Sequence, residues 1–139
     1  MLATVAATAA PAAVHAKPDP VEAMVERINA ARADHHLPPL RPAPRLMRSA
    51  RQHAAHLMSA DAFGHAPMRI AGFRATGEML AFTPGWRLAT GRVVRMWLNS
   101  SGHRAVMLSR SFRNIGVGPV RGRFGGALTT MWVVQVGRR

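Results

Sequence analysis

At 139 residues the chain is long enough for one small domain that buries about two-thirds of its unfolded surface. It contains no cysteine, which excludes a disulfide framework, a thiolate zinc site and a cysteine nucleophile, and an apolar fraction of 48% excludes a disordered chain. Lysine and arginine outnumber aspartate and glutamate 19 to 6, for a net charge of +13, yet the basic residues are scattered singly and carry no zinc-finger, zipper or RRM signature. Nucleic acid is therefore not an expected partner. General attraction to anionic surfaces is.

Residues 1–16 carry no Lys, Arg, Asp or Glu, are dominated by alanine, and end in Val14-His15-Ala16 before the polar Lys17-Pro18-Asp19-Pro20. That pattern reads as a secretory signal peptide and its cleavage site, atypical in lacking a basic start, with a single domain over residues 17–139. Asp19-Pro20 opens a helix, with Asp as cap, Pro at the first position and Glu22 three residues on. Val21, Met24, Val25 and Ile28 give it one apolar face, and it stops near His35 or His36, ahead of Pro38-Pro39. A second helix follows Pro42 and Pro44 and buries Leu46, Ala50, Ala54, Leu57 and Met58, until Gly64 and Pro67 break it. Glu78 to Phe82 reads as an extended piece.

A third helix from about Ala89 to Leu98 buries Val93, Val94 and Trp97; Ser100-Ser101-Gly102 interrupts it, and a helical turn continues to Leu108. The period then changes. Ile115 and Val117 alternate with glycine, and Leu128 to Val136 is rich in β-branched and aromatic residues, with a turn at Gly122–Gly126 between them. Helices first and an antiparallel hairpin last give an α+β domain, helices packed against a small antiparallel sheet. No uninterrupted apolar stretch reaches the ~20 residues of a membrane span.

After Asp61 the only acid is Glu78, set among apolar residues in Thr76-Gly77-Glu78-Met79-Leu80. A carboxylate in such a setting needs a partner, because an unpaired buried charge costs several kcal/mol. Either an arginine supplies it or Glu78 faces histidines across a cleft. His65, after Phe63-Gly64, and His103, after Ser100-Ser101-Gly102, stand at chain breaks where a ring can reach a cleft. His53 lies beside the apolar face of the second helix and reads as a packed core histidine. His53 and His56 form H-x-x-H, a weak metal signal without a third ligand, and His35 and His36 end a helix, solvated.

Taken in order, these residues resemble the bacterial branch of the CAP superfamily, the SCP domain of cysteine-rich secretory, antigen 5 and pathogenesis-related proteins. The resemblance rests on Ile28-Asn29-Ala30-Ala31-Arg32, on Ala54-Ala55-His56-Leu57-Met58 leading to His65, and on Gly77-Glu78-Met79-Leu80-Ala81. It continues through Trp97-Leu98-Asn99-Ser100-Ser101-Gly102-His103-Arg104, Ile115-Gly116-Val117-Gly118 and Trp132-Val133-Val134-Gln135, over roughly residues 20–137. It implies an α-β-α sandwich, a secreted or periplasmic location, and a cleft lined by His and Glu that in some members holds a divalent cation, often zinc. The cleft residues, and the metal ligands if a cation binds, fall on His65, Glu78 and His103. The family's second glutamate falls on Ser100, Met79 stands where Asn is usual, and Ser101 where Pro is usual.

The function expected is a monomeric, non-enzymatic binding module, secreted or in the envelope, whose cleft takes a small-molecule, apolar or lipid ligand. It requires no cofactor and binds a divalent cation such as zinc weakly. Two alternatives stand beside it. One is a hydrolase working through the cleft, for which Ser100 or Ser101 with His103 and Glu78 would have to form a triad, or Asp61 and Glu78 a carboxylate pair. The other is a binder of anionic envelope polymers or lipid headgroups through the arginine-rich surface.

Overall fold

A computed structural model describes residues 17–87 and 89–139; the leader expected over residues 1–16 lies outside the described residues. Helix α1 spans Pro20–Asp34, and Asp19 caps it: its Oδ1 accepts the backbone N–H of Val21 at 2.7 Å and of Glu22 at 3.3 Å. His36, in the left-handed region at φ 55°, turns the chain out of the helix. The two-residue strand β1 (Arg41–Pro42) leads into α2 (Pro44–Ser59), and strand β2 covers Ala75–Pro84. Helices α3 (Thr90–Leu98) and α4 (Ser101–Met107) precede the hairpin strands β3 (Asn114–Phe124) and β4 (Ala127–Arg138).

The four strands form one sheet in the order β1-β3-β4-β2. β4 pairs antiparallel with both β3 and β2, but β1 runs parallel to β3, so the sheet is mixed rather than wholly antiparallel. Arg41 and Ala43 donate to the carbonyls of Arg113 and Ile115 at 2.9 Å each, which holds the connection between α1 and α2 along that edge. The hairpin turn is also tighter than Gly122–Gly126. Gly122, Arg123 and Phe124 are still paired, and the reversal is made by Gly125 and Gly126 at φ 57° and 78°. Two residues with positive φ match the right-handed twist of the flanking strands, so the longer turn is unnecessary.

The sheet lies between two helical layers, an α-β-α sandwich. On one face Met24 and Ile28 of α1, Val93 and Trp97 of α3 and Met107 of α4 pack against Trp132 and neighbouring strand residues. Trp97 is 1% exposed and donates its indole N–H to the Leu80 carbonyl at 2.9 Å, tying α3 to strand β2. On the other face α2 lies alone. Its stripe of Leu46, Ala50, Ala54 and Leu57 is buried against β2, β3 and β4, while Met58, expected inside, is only half-buried.

Two glycines set how closely α2 approaches. A methyl group on Gly116 would overlap the backbone of Leu46 and Met47, and one on Gly118 the backbone of Ala50 and Arg51. The obstacles are helix backbone, not flexible side-chain ends, so they can yield only if the whole helix lifts. Gly116→Ala is accordingly expected to cost about 3 kcal/mol, the upper part of the overpacking range. Chemical denaturation measures it; an unchanged midpoint would show that α2 tolerates a wider spacing.

Candidate functional site

Successive residues of a strand face opposite sides of a sheet, so Glu78 and Leu80 of β2 share the α2 face, as do Gln135 and Val133 of β4. Glu78 stands directly opposite Gln135, and Gln135 opposite Gly116 of β3, giving a row of Glu, Gln and Gly across three strands. Because Gly116 has no side chain, α2 comes down over this row and His53 reaches the carboxylate. His53 Nδ1 donates to Glu78 Oε2 at 2.8 Å, and Gln135 Nε2 donates to the same oxygen at 2.9 Å. From the loop after α2, His65 Nδ1 donates to Oε1 at 2.9 Å. A carboxylate only accepts, so each Nδ1 carries a hydrogen, and neither Nε2 is engaged by Glu78.

The Glu78 side chain is 6% exposed and that of His53 11%, whereas His65 is 60% exposed. No arginine pairs with Glu78; the histidine reading of its partner holds, but with a residue the sequence placed in the core. His53 is not a bystander in apolar packing. It lies on the flank of the buried α2 stripe, one position before Ala54, where a polar ring can turn to the sheet and meet a carboxylate. Gln135 was not singled out either, although it is the one long polar residue in the apolar run Met131–Val136.

His103 is held differently. Its Nδ1 lies 2.9 Å from Ser100 Oγ, and its ring packs beside Trp97 with centroids 6.3 Å apart. Burial, and secondarily the charge of His65, push the His103 imidazole below its ordinary value of 6.5. The two rings are thus close enough to sense each other. Glu78, however, bonds His53, His65 and Gln135 and not His103, so Ser100, His103 and Glu78 are not chained as a triad requires. Asp61 instead caps the hairpin turn, accepting the Gly125 N–H at 2.5 Å.

Beside the carboxylate opens a cleft of about 300 Å³. His53, His56, Glu78 and Gln135 line it together with the loop Ala66–Ile70, which is apolar apart from Arg69. Gln135 Oε1 is buried and has no hydrogen-bond partner within the protein. Among the described residues no group of three His, Cys, Asp or Glu is arranged to hold a metal ion. Both Glu78 oxygens are already engaged by N–H donors, so ligating a cation there would break charge-assisted bonds worth about 1.5–3 kcal/mol each. Glu78 is therefore not free to ligate a metal ion itself.

The His103 shift has a sign that can be tested. A base with a lowered folded-state pKa binds its proton later than in the unfolded chain, so its contribution is intact above about 6.5. It is lost as pH falls from there through the folded value. Melting temperatures between pH 7.5 and 5.5 should therefore fall less in His103→Gln than in wild type; equal slopes would show that His103 is not the group responsible.

Residues 25–136 match the family model described as CAP, the cysteine-rich secretory protein family. A search of curated proteins returned no match. Among solved structures, the chain is similar to an outer surface protein of Borrelia burgdorferi, with 26% identity, a TM-score of 0.69, and coverage of 89% of this chain and 98% of that one. It is also similar to venom allergen-like protein 4 of Schistosoma mansoni, at 16% identity, a TM-score of 0.70 and coverage of 88% and 90%. An extracellular SCP-domain protein of Bacillus anthracis matches at 22% identity and a TM-score of 0.69, over 86% of this chain but 40% of its own length. The chain spans less than half of that protein. With the family model covering most of its length, and without a single cysteine, this chain belongs to the CAP family.

Proposed function

We propose that the protein is a secreted or cell-envelope binding module that holds a small, partly apolar ligand in the cleft beside Glu78 without turning it over. The observation that carries this reading is the state of the two polar groups at the cleft floor. Glu78 has both oxygens engaged, which leaves it poorly placed as a general base or nucleophile. Gln135, which lines the cleft, has its Oε1 buried and unpaired, an acceptor that a ligand N–H or O–H entering beside it would satisfy. The apolar residues of the cleft loop give the rest of the ligand a surface to bury. An exported location is supported by the bacterial relatives described as extracellular and as an outer surface protein.

A ligand that donates to Gln135 should raise the melting temperature of wild type and lose that effect in Gln135→Leu, which keeps the volume but removes the acceptor. Small amides and acetamido sugars carry such a donor; fatty acids of equal size, ionised at neutral pH, do not. Scanning fluorimetry of both sets, with circular dichroism to confirm that the variant folds, checks this. A rise that persists in Gln135→Leu would sink the reading, as would fatty acids outperforming amides in both proteins.

Divalent cations are expected to bind weakly. Zinc would have to use the Nε2 positions of His53, His65 or His103, with Glu78 as the group that orients two of the rings. The net charge of +13 opposes a further cation. Calorimetry on chelator-treated wild type and His65→Ala should give weak binding at neutral pH, with bound zinc removable by chelator without unfolding. Nanomolar affinity would contradict it, and equal binding by both proteins would place the metal away from His65.

A further inference from the structure

A second concavity, of about 380 Å³, lies behind the cleft loop, and Arg45, Arg48 and Arg139 form part of its wall. The loop divides the two spaces: Ala66–Ile70 face the Glu78 cleft, while Ala71, Gly72 and Phe73 face Arg45, Arg48 and Arg139. Arg45 is held in place, its Nη1 donating to the Ala71 carbonyl at 2.9 Å. Gly72, at φ +88°, closes on that guanidinium; an added Cβ would stand 3.0 Å from Arg45 Nη1. The Arg139 guanidinium lies over the Phe73 ring, 5.8 Å from its centroid.

Two of the three charges are thus positioned by a carbonyl and an aromatic face, neither of which neutralises them. Among the described residues the only ion pairs are those of His53 and His65 with Glu78, so no arginine here has a carboxylate partner. The sequence places no acidic side chain between Asp34 and Asp61, nor any after Glu78. Three guanidiniums around one concavity repel one another until an anion enters, and their planar forks suit the paired oxygens of a phosphoryl group. The N-terminus of α2 adds to the field, since Ala43 gives it no side-chain cap.

We propose that this concavity binds a phosphoryl group, a dianion carried on a small molecule or on a lipid headgroup. The assignment is independent of the Glu78 cleft and of whatever that cleft holds. Arg48 is the residue to test, because among the described residues its side chain forms no bond that its loss would break, unlike Arg45. Arg27, exposed on α1 across the sheet, removes the same charge from the opposite layer.

Titration calorimetry with glycerol phosphate at constant ionic strength reads the soluble source. Sedimentation with phosphatidylcholine vesicles, with and without phosphatidic acid, reads the lipid source. Arg48→Gln should weaken binding about tenfold in at least one arm, a loss of about 1.4 kcal/mol, with Arg27→Gln within about twofold of wild type. Binding in the calorimetric arm supports a small-molecule source, and binding confined to phosphatidic acid vesicles a headgroup source. Equal losses in Arg27→Gln and Arg48→Gln would reduce the effect to net charge and overturn the site, as would no binding in either arm.

Discussion

The arrangement depends on how closely one helix can lie on a sheet. Gly116 and Gly118 point at α2, and the helix backbone occupies the space their side chains would have filled. That contact sets the depth of the α2 layer, and with it everything placed by α2. His53 reaches Glu78 because the helix sits so low; a wider spacing would leave a buried carboxylate short of one of its three donors. Ala50 and Ala54 repeat the logic from the helix side, small residues where the approach is closest. Met47 extends it to the exposed side of β3. Its sulfur accepts the Val117 N–H at 3.1 Å, where β1 is too short to supply a carbonyl.

The row of Gly116, Gln135 and Glu78 is polar in a layer that is otherwise apolar. Satisfying a carboxylate there takes three donors from three places: a helix, a neighbouring strand and a loop. His65 ties the loop after α2 to the sheet, while His53 and Gln135 hold the same carboxylate from the helix and the next strand, and only the His65 arm is exposed. The half-satisfied member is Gln135. Its amide nitrogen must face Glu78, which leaves its oxygen buried without a partner. Stability and binding readiness therefore come from one orientation of one side chain.

Much of the fold was legible because it depended on neighbours in sequence. The Asp19-Pro20 cap, the α2 stripe of Leu46, Ala50, Ala54 and Leu57, the Trp97 face and the β-branched and aromatic run Leu128–Val136 are local patterns, and each stands where the local sequence puts it. The hairpin turn was misplaced by three residues because glycine at 122 reads as a turn. Its role instead is to accommodate Met58, whose side chain a Cβ there would meet. The site was half legible. Glu78 and His65 are conspicuous, a lone acid and a histidine in a loop, whereas His53 and Gln135 join them only through strand register and helix depth. The parallel pairing of β1 was hidden for the same reason, since two residues carry no period.

With six acids for its 19 basic residues, the chain cannot neutralise its arginines by ion pairing, and several are held by backbone carbonyls instead. Arg32 shows the extreme case. It is fully buried at the end of α1, donating to the carbonyls of Pro38 at 3.0 Å, Met107 at 2.7 Å and Ser109 at 3.0 Å. Burial, and secondarily Arg113, lower its pKa, yet a guanidinium stays charged, and the C-terminal carbonyls of α4 carry the negative end of that helix's dipole. One side chain thereby locks α1 to α4 without a counter-ion. Arg123 and Arg113 repeat the device at the surface, on the carbonyls of Gly126 and Phe112. Carbonyls fix the position of a guanidinium but leave its charge, so the fold stays strongly positive. Such a surface draws anions from solution at a rate and strength that fall with salt, and it becomes selective only where arginines converge on a concave wall.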